Sequence, residues 1–459
     1  MFNTQGSKIA DGVNKLKKKC TRVMFASYGI TAAVTLLIMI LVKGSYALTS
    51  FRYYPFMLSN ASVCYAVLAS VLMQGYIRNT RQFSINNHVL RCLMAVSYGL
   101  SGFFVTQENT WSTCVIGVAL PVLVLLLEDV IDGVRYIPFV VLGAILLSVD
   151  SLIAVPVMIL LFLYAIADKS GKDHFTLGDF ITYLATFLFS ALIGSWRIVF
   201  QYIVRWMEHG DYAYPGFKSF YGGSAFLSRI LPGSASAYTF LGTNQKMDAY
   251  VSLLVVMGIM LFVFHSQISL RKRIAYAIYL VISAILVVTT AGYYVLHLFT
   301  YDDTVTLGYS VVLVFFMIRM TMEALAQVDN IRRSTWIKAV VGTLLVFAGA
   351  WSFSAHNFHA YAGTLQILGM IMLVVGLAGS RKNKKLFGAV LFVCCAVEIT
   401  GQTWISVNRI DVVKNAQNVQ VISDNYGSLF VGSLIQTPEV TIKDNKVDII
   451  QKQSHEEKK

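Results

Sequence analysis

The stretch KLKKKCTRVMFASYGITAAVTLLIMILV, residues 15–42, sets five basic residues directly before twenty residues without a single charge. Twenty helical residues rise about 30 Å, the thickness of a bilayer's hydrocarbon core. No small-residue cleavage site follows a short apolar region, so the run predicts an uncleaved first span with a cytoplasmic N-terminus. The rest of the chain repeats the pattern. Of 459 residues, 56% are hydrophobic and 13% charged, with mean hydropathy +0.64, which points to a polytopic membrane protein.

Further apolar segments lie near 57–77, 88–105, 113–127, 134–149, 151–167, 179–200, 249–266, 274–298, 304–326, 336–353, 361–379 and 386–407. The prediction is an all-α protein of about thirteen transmembrane helices. Three regions follow: a basic cytoplasmic N-terminus at 1–22, a multi-span domain at 23–407, and an extracytoplasmic tail at 408–459, part strand or helix and disordered towards its charged end. The net charge of +13 does not indicate nucleic acid, because the bases sit in short clusters between spans. Arg78, Arg81 and Arg91, Arg135, Lys169 and Lys172, Arg271 to Arg273, Arg332 and Arg333, and Arg381 to Lys385 fall in alternate loops, while the intervening loops near 106–112, 149–151, 299–304 and 354–360 carry no Lys or Arg. Positive charge stays inside, so the second set is expected outside. The six cysteines fall in or beside spans or, for Cys20, in the cytoplasm, and offer neither a disulfide framework nor a zinc spacing.

One connection is long. Residues 201–248 are expected outside, with an interfacial helix anchored by Tyr202, Trp206, Tyr212, Tyr214 and Phe217. Arg197 and Arg205 flank its start, and Arg229 lies in LSRILPGS near Gly222, Gly223 and Gly233. Arginine binds phosphate through two parallel hydrogen bonds, and glycine lets backbone N–H groups approach the same anion. Snorkelling or headgroup contact accounts for any one of these arginines equally well. A general base at this surface must be a carboxylate or histidine, and Glu108 and Asp150 lie in the very short outer loops. Glu208, Asp211, Asp302 and Asp303 read more simply as helix surface or cap. His356 and His359 have metal-like spacing but no third ligand nearby in sequence. Glu323 and Glu398 fall within or beside apolar segments, with Arg319 one turn from Glu323 as its expected partner. No phosphate-binding or hydrolase motif is present.

Four stretches in this order, RYYPF (52–56), SYGLSGFFVTQENTWSTCVIGVALPVLVLLLEDVIDG (97–133), FLSRILPGS (226–234) and AVEITGQTWISVNRI (396–410), resemble the bacterial YfhO family of membrane proteins. The resemblance implies a GT-C-like glycosyltransferase with one large outer loop in a bacterial plasma membrane. It implies transfer of a sugar from a polyprenyl-phosphate donor to a cell-envelope acceptor, with a glycosyltransferase or flippase as a further partner and a divalent metal left open. Donor contacts would come from Arg52, Tyr53, Trp111, Arg197, Arg205, Arg229 and Gly233. The pattern departs from the family in one respect: the first outer loop has no acid, and Ser112 stands where one is expected. Either Glu108 or Asp150 is the base, or the chain is a non-catalytic accessory or scaffold protein of lipid-linked sugar handling. A polysaccharide transporter or flippase is the third reading, disfavoured by the scarcity of buried charge in the sequence.

Overall fold

The computed structural model describes residues 26–40, 60–85, 87–101, 103–104, 111–208, 251–299, 308–326, 331–353, 390, 393–401, 439–443 and 446–450. Its helices are α1 (Ala26–Ile40), α2 (Asn60–Asn79), α3 (His88–Gly99), α4 (Trp111–Ile131), α5 (Ile137–Val149), α6 (Ser151–Lys172), α7 (Leu177–Ile193), α8 (Ser195–Glu208), α9 (Leu253–Phe264), α10 (Leu270–Val288), α11 (Thr290–Leu296), α12 (Val311–Ala326), α13 (Arg333–Phe353) and α14 (393–401). A 3-10 turn, Gly308–Ser310, leads into α12. In the tail, β1 (Glu439–Lys443) and β2 (Lys446–Ile450) form an antiparallel hairpin.

Among the described residues, three segments are long and apolar enough to cross a membrane: Ser112–Ile131, Ser151–Lys172 and Gly308–Ala326. Around them the surface is oily rather than polar, with Leu188, Phe189, Leu192, Ile193, Ile278, Val281, Leu344 and Leu345 all exposed. A protein in water buries such side chains, whereas lipid leaves them no reason to hide. The core is built around α12, every residue of which from Val311 to Leu325 is buried. Phe315 meets Tyr76 of α2 and Tyr98 of α3, with ring centroids 5.1 and 6.0 Å apart, while Phe316 meets Tyr164 of α6 and Tyr279 of α10 at 4.2 and 5.0 Å. Close approach depends on small residues. A Cβ on Gly258 would stand 2.2 Å from Thr321 Cγ2, and one on Gly99 would stand 2.3 Å from the Ala66 carbonyl oxygen.

Several boundaries differ from the sequence expectation, each for a local reason. The expected span 179–200 divides at Gly194, where α7 ends and the amphipathic α8 begins. The expected span 274–298 breaks at Thr289, whose hydroxyl accepts from the Gly292 N–H and so starts α11 as a separate helix. Helix α5 has only 13 residues, about 20 Å, and α3 stops at Gly99 within the expected 88–105. Trp196, Val199, Phe200, Ile203 and Met207 form the exposed apolar stripe of α8. Tyr202, expected as a headgroup anchor, is buried on its opposite face, because a helix turns it away from that stripe.

Contacts among the described residues group four of the basic side chains at one end. Arg81 pairs with Asp129, Lys172 with Asp132, Lys169 with Asp179, and Lys272 with Glu323, joining the ends of α2, α4, α6 and α12 to the starts of α7 and α10. Asp150 lies at the other end. Between Ser112 and Glu128 of α4 the helix rises about 24 Å, which separates the two ends.

Candidate functional site

At the end opposite the basic loops, α5 and α6 are joined by Asp150 alone. Its backbone is extended, and its Oδ1 accepts from the Leu152 N–H at 3.1 Å, capping α6. Its Oδ2 accepts from the Ser112 hydroxyl at 2.8 Å. A half-buried carboxylate therefore stands beside the serine where an acid was expected, delivered from the neighbouring loop. Two residues earlier, Ser148 Oγ accepts from the Trp196 indole N–H at 3.2 Å, which fixes the start of α8 against α5. Arg197 follows, half-buried, with its guanidinium carbon 5.9 Å from the Trp196 ring centroid. Its Nε is buried and makes no hydrogen bond among the described residues.

Beyond Ser112 the same end carries groups that sequence reading passed over. Thr113 packs on Gly308, whose Cβ would come within 2.5 Å of it, and Tyr309 next to it lies 5.4 Å from the His297 ring. His297 is fully buried and stacks on Tyr293 at 3.9 Å. It closes α11 with Leu298 and Phe299, both at positive φ, 52° and 64°. The signal for His297 was its place just before a loop without Lys or Arg, where a lone histidine is a candidate base.

Of the predicted site residues, the structure brings Asp150 and Arg197 to one end of the bundle. Trp111 and Arg205 lie on α4 and α8, with side chains outside the described residues. Arg52, Tyr53, Glu108, Arg229 and Gly233 lie outside them altogether, as do His356 and His359. Glu398, a suspect for its position in an apolar segment, accepts from the Leu253 N–H at 2.5 Å and the Ser252 hydroxyl at 3.1 Å and so caps α9. Among the described residues no three His, Cys, Asp or Glu side chains come together as a metal cluster would require.

The opposite end holds what the sequence concealed. Arg319 is fully buried, with Nη2 at 3.5 Å from Glu128 and 3.6 Å from Asp168. It also donates to the Tyr76 hydroxyl from Nε at 2.9 Å and to the Tyr276 hydroxyl from Nη1, and lies 4.9 Å from the Tyr164 ring centroid. Glu128 accepts further from Tyr76 at 2.8 Å and Thr80 at 2.7 Å, and Asp168 accepts from Lys172 at 2.6 Å and Tyr276 at 2.5 Å. The expected Arg319–Glu323 pair does not form: Glu323 takes Lys272 at 2.5 Å, because Arg319 turns inwards to the two carboxylates. Arg319, Lys172 and Lys272 face Glu128, Asp168 and Glu323, with Asp132 also on Lys172. Buried charge is thus not scarce, and that argument against transport falls. The charges are nevertheless paired at the basic end.

The fold and these two polar ends define a polytopic membrane protein with an α-helical bundle. Residues 22–441 match the family of the bacterial membrane protein YfhO, and the chain belongs to that family. No curated protein and no solved structure matches the chain.

Proposed function

We propose that the chain is a GT-C-type membrane glycosyltransferase of about thirteen spans, moving a sugar from a polyprenyl-phosphate donor to a teichoic acid, another glycan or a protein at the outer face. The observation that carries this reading is the carboxylate of Asp150 held at Ser112, on the end of the bundle away from the basic loops. A base there takes the acceptor hydroxyl's proton as its oxygen attacks the sugar's anomeric carbon. The bond from that carbon to the phosphate oxygen breaks, and polyprenyl phosphate leaves with the electron pair. Arg197, in the first turn of α8 and with an Nε that has no hydrogen-bond partner among the described residues, suits the leaving phosphate at headgroup depth.

Vesicles carrying the full chain, supplied with a panel of radiolabelled polyprenyl-phosphate sugars and envelope acceptors, test this. Transfer with one donor is expected, and Arg197→Gln should raise the donor KM about tenfold or more, the loss of one charged hydrogen bond. No transfer from any donor sinks the enzyme reading. An accessory protein that binds lipid-linked sugar is the second reading, favoured by the engagement of both Asp150 oxygens. Saturable donor binding without transfer is its signature.

A further inference from the structure

At the basic end, between the close of α2 and the start of α3, lies a cavity of about 240 Å³. That is roughly eight times the volume of a water molecule in the liquid. Arg78, Arg91 and His88 line it together with Thr80, Ser84 and Phe83, and among the described residues no carboxylate contributes to its wall. The nearby acids are committed elsewhere: Asp129 pairs with Arg81, and Glu128 turns inwards to Thr80, Tyr76 and Arg319. Among the described residues neither Arg78 nor Arg91 has a carboxylate partner. Arg91 instead contacts His88, Nη2 to Nδ1 at 2.6 Å, and its buried Nε makes no hydrogen bond among the described residues. Both guanidinium charges bear on the His88 ring. Cations gathered around a polar hollow, one with an unused donor, are arranged for an anion that would take up those donors and offset their repulsion.

We propose that this cavity binds a phosphate group, held by Arg78 and Arg91 with His88 at its rim. It lies at the opposite end of the bundle from Asp150 and is independent of the glycosyltransferase reading. Two sources supply the same chemistry: the headgroup of an anionic lipid in the adjoining leaflet, or a soluble phosphate compound. Thr80, in the cavity wall, also donates to Glu128, so an occupant would abut the Arg319 cluster.

The test uses the full chain in nanodiscs of zwitterionic lipid, titrated with inorganic phosphate in one arm and prepared with phosphatidylglycerol in the other. Bound lipid is read by native mass spectrometry and phosphate by calorimetry. Saturable binding in either arm, weakened tenfold or more by Arg78→Gln and by Arg91→Gln but unchanged by Arg135→Gln, supports the proposal. Arg78 is exposed, so its variant keeps the fold even if the Arg91 variant does not. Phosphate binding identifies a soluble ligand, and retention of phosphatidylglycerol alone identifies the headgroup. No binding in both arms, or equal binding by wild type and Arg78→Gln, overturns it.

Discussion

Arg319 shows how much one residue can organise. Its guanidinium spans Glu128 and Asp168 while donating to two tyrosines, and a planar fork of five donors is the only side chain that can do so. Removing it would leave two carboxylates buried without their shared cation. Arg319→Met should therefore cost about 3–5 kcal/mol. Arg319→Lys should recover only part of that, since an ammonium cannot meet both carboxylates and both hydroxyls. Thermal unfolding of the detergent-solubilised protein reads both. Equal stability of wild type and Arg319→Met would mean that packing, not the ion cluster, holds this end. Sequence located the charge, in FFMIRMTMEAL, but spacing along one helix suggested Glu323 as partner. The true partners lie 191 and 151 residues away in sequence, on α4 and α6, which no local pattern reveals.

At the scale of the element, the end of α11 is the most strained described segment. The Phe299 N–H reaches the Tyr294 carbonyl at 2.7 Å and the Leu298 N–H the Val295 carbonyl at 3.2 Å, the paired bonds of a Schellman cap. The Tyr294 and Phe299 rings complete it at 5.5 Å. Leucine occupies the left-handed position where glycine is usual, at a cost of about 1 kcal/mol. Leu298→Gly should relieve that strain and gain up to about 1 kcal/mol, whereas Leu298→Val, β-branched, should lose about as much. Melting temperatures in the opposite order would show that the cap is not the structure's resting form. The sequence signalled the apolar segment here but not the break at Thr289, because threonine is tolerated inside membrane helices and acts as a cap only where the chain turns. Charge was more legible than boundaries: of the loops chosen for their Lys and Arg, those carrying Arg81, Lys169, Lys172 and Lys272 come together at one end, through pairs such as Lys172–Asp132 and Lys272–Glu323, while the loop of Arg381 to Lys385 lies outside the described residues.

For the whole molecule, the two ends divide the work. The basic end is dense with paired charge and tyrosine, and the Asp150 end carries fewer charged groups, with Asp150, Ser112, Arg197 and His297 at helix ends or on short connections. On the proposed transferase reading, a polar mouth on helix ends suits the reaction, since regular elements hold a reacting group better than long loops do. Asp150 was legible as a charge in a minimal loop. Its meeting with Ser112 was not, because it depends on α4 and α6 starting side by side, 38 residues apart in sequence. The central claim is that this carboxylate does chemistry as well as capping. Asn caps a helix as well as Asp does, so Asp150→Asn leaves α6 in place and removes only the charge. The measurement is the initial rate of sugar transfer by wild type and Asp150→Asn, in vesicles at matched folded protein and saturating donor. The account predicts a fall of about 10²–10⁴ with melting temperature nearly unchanged. Equal rates in the two proteins would contradict it and leave Asp150 as a helix cap alone.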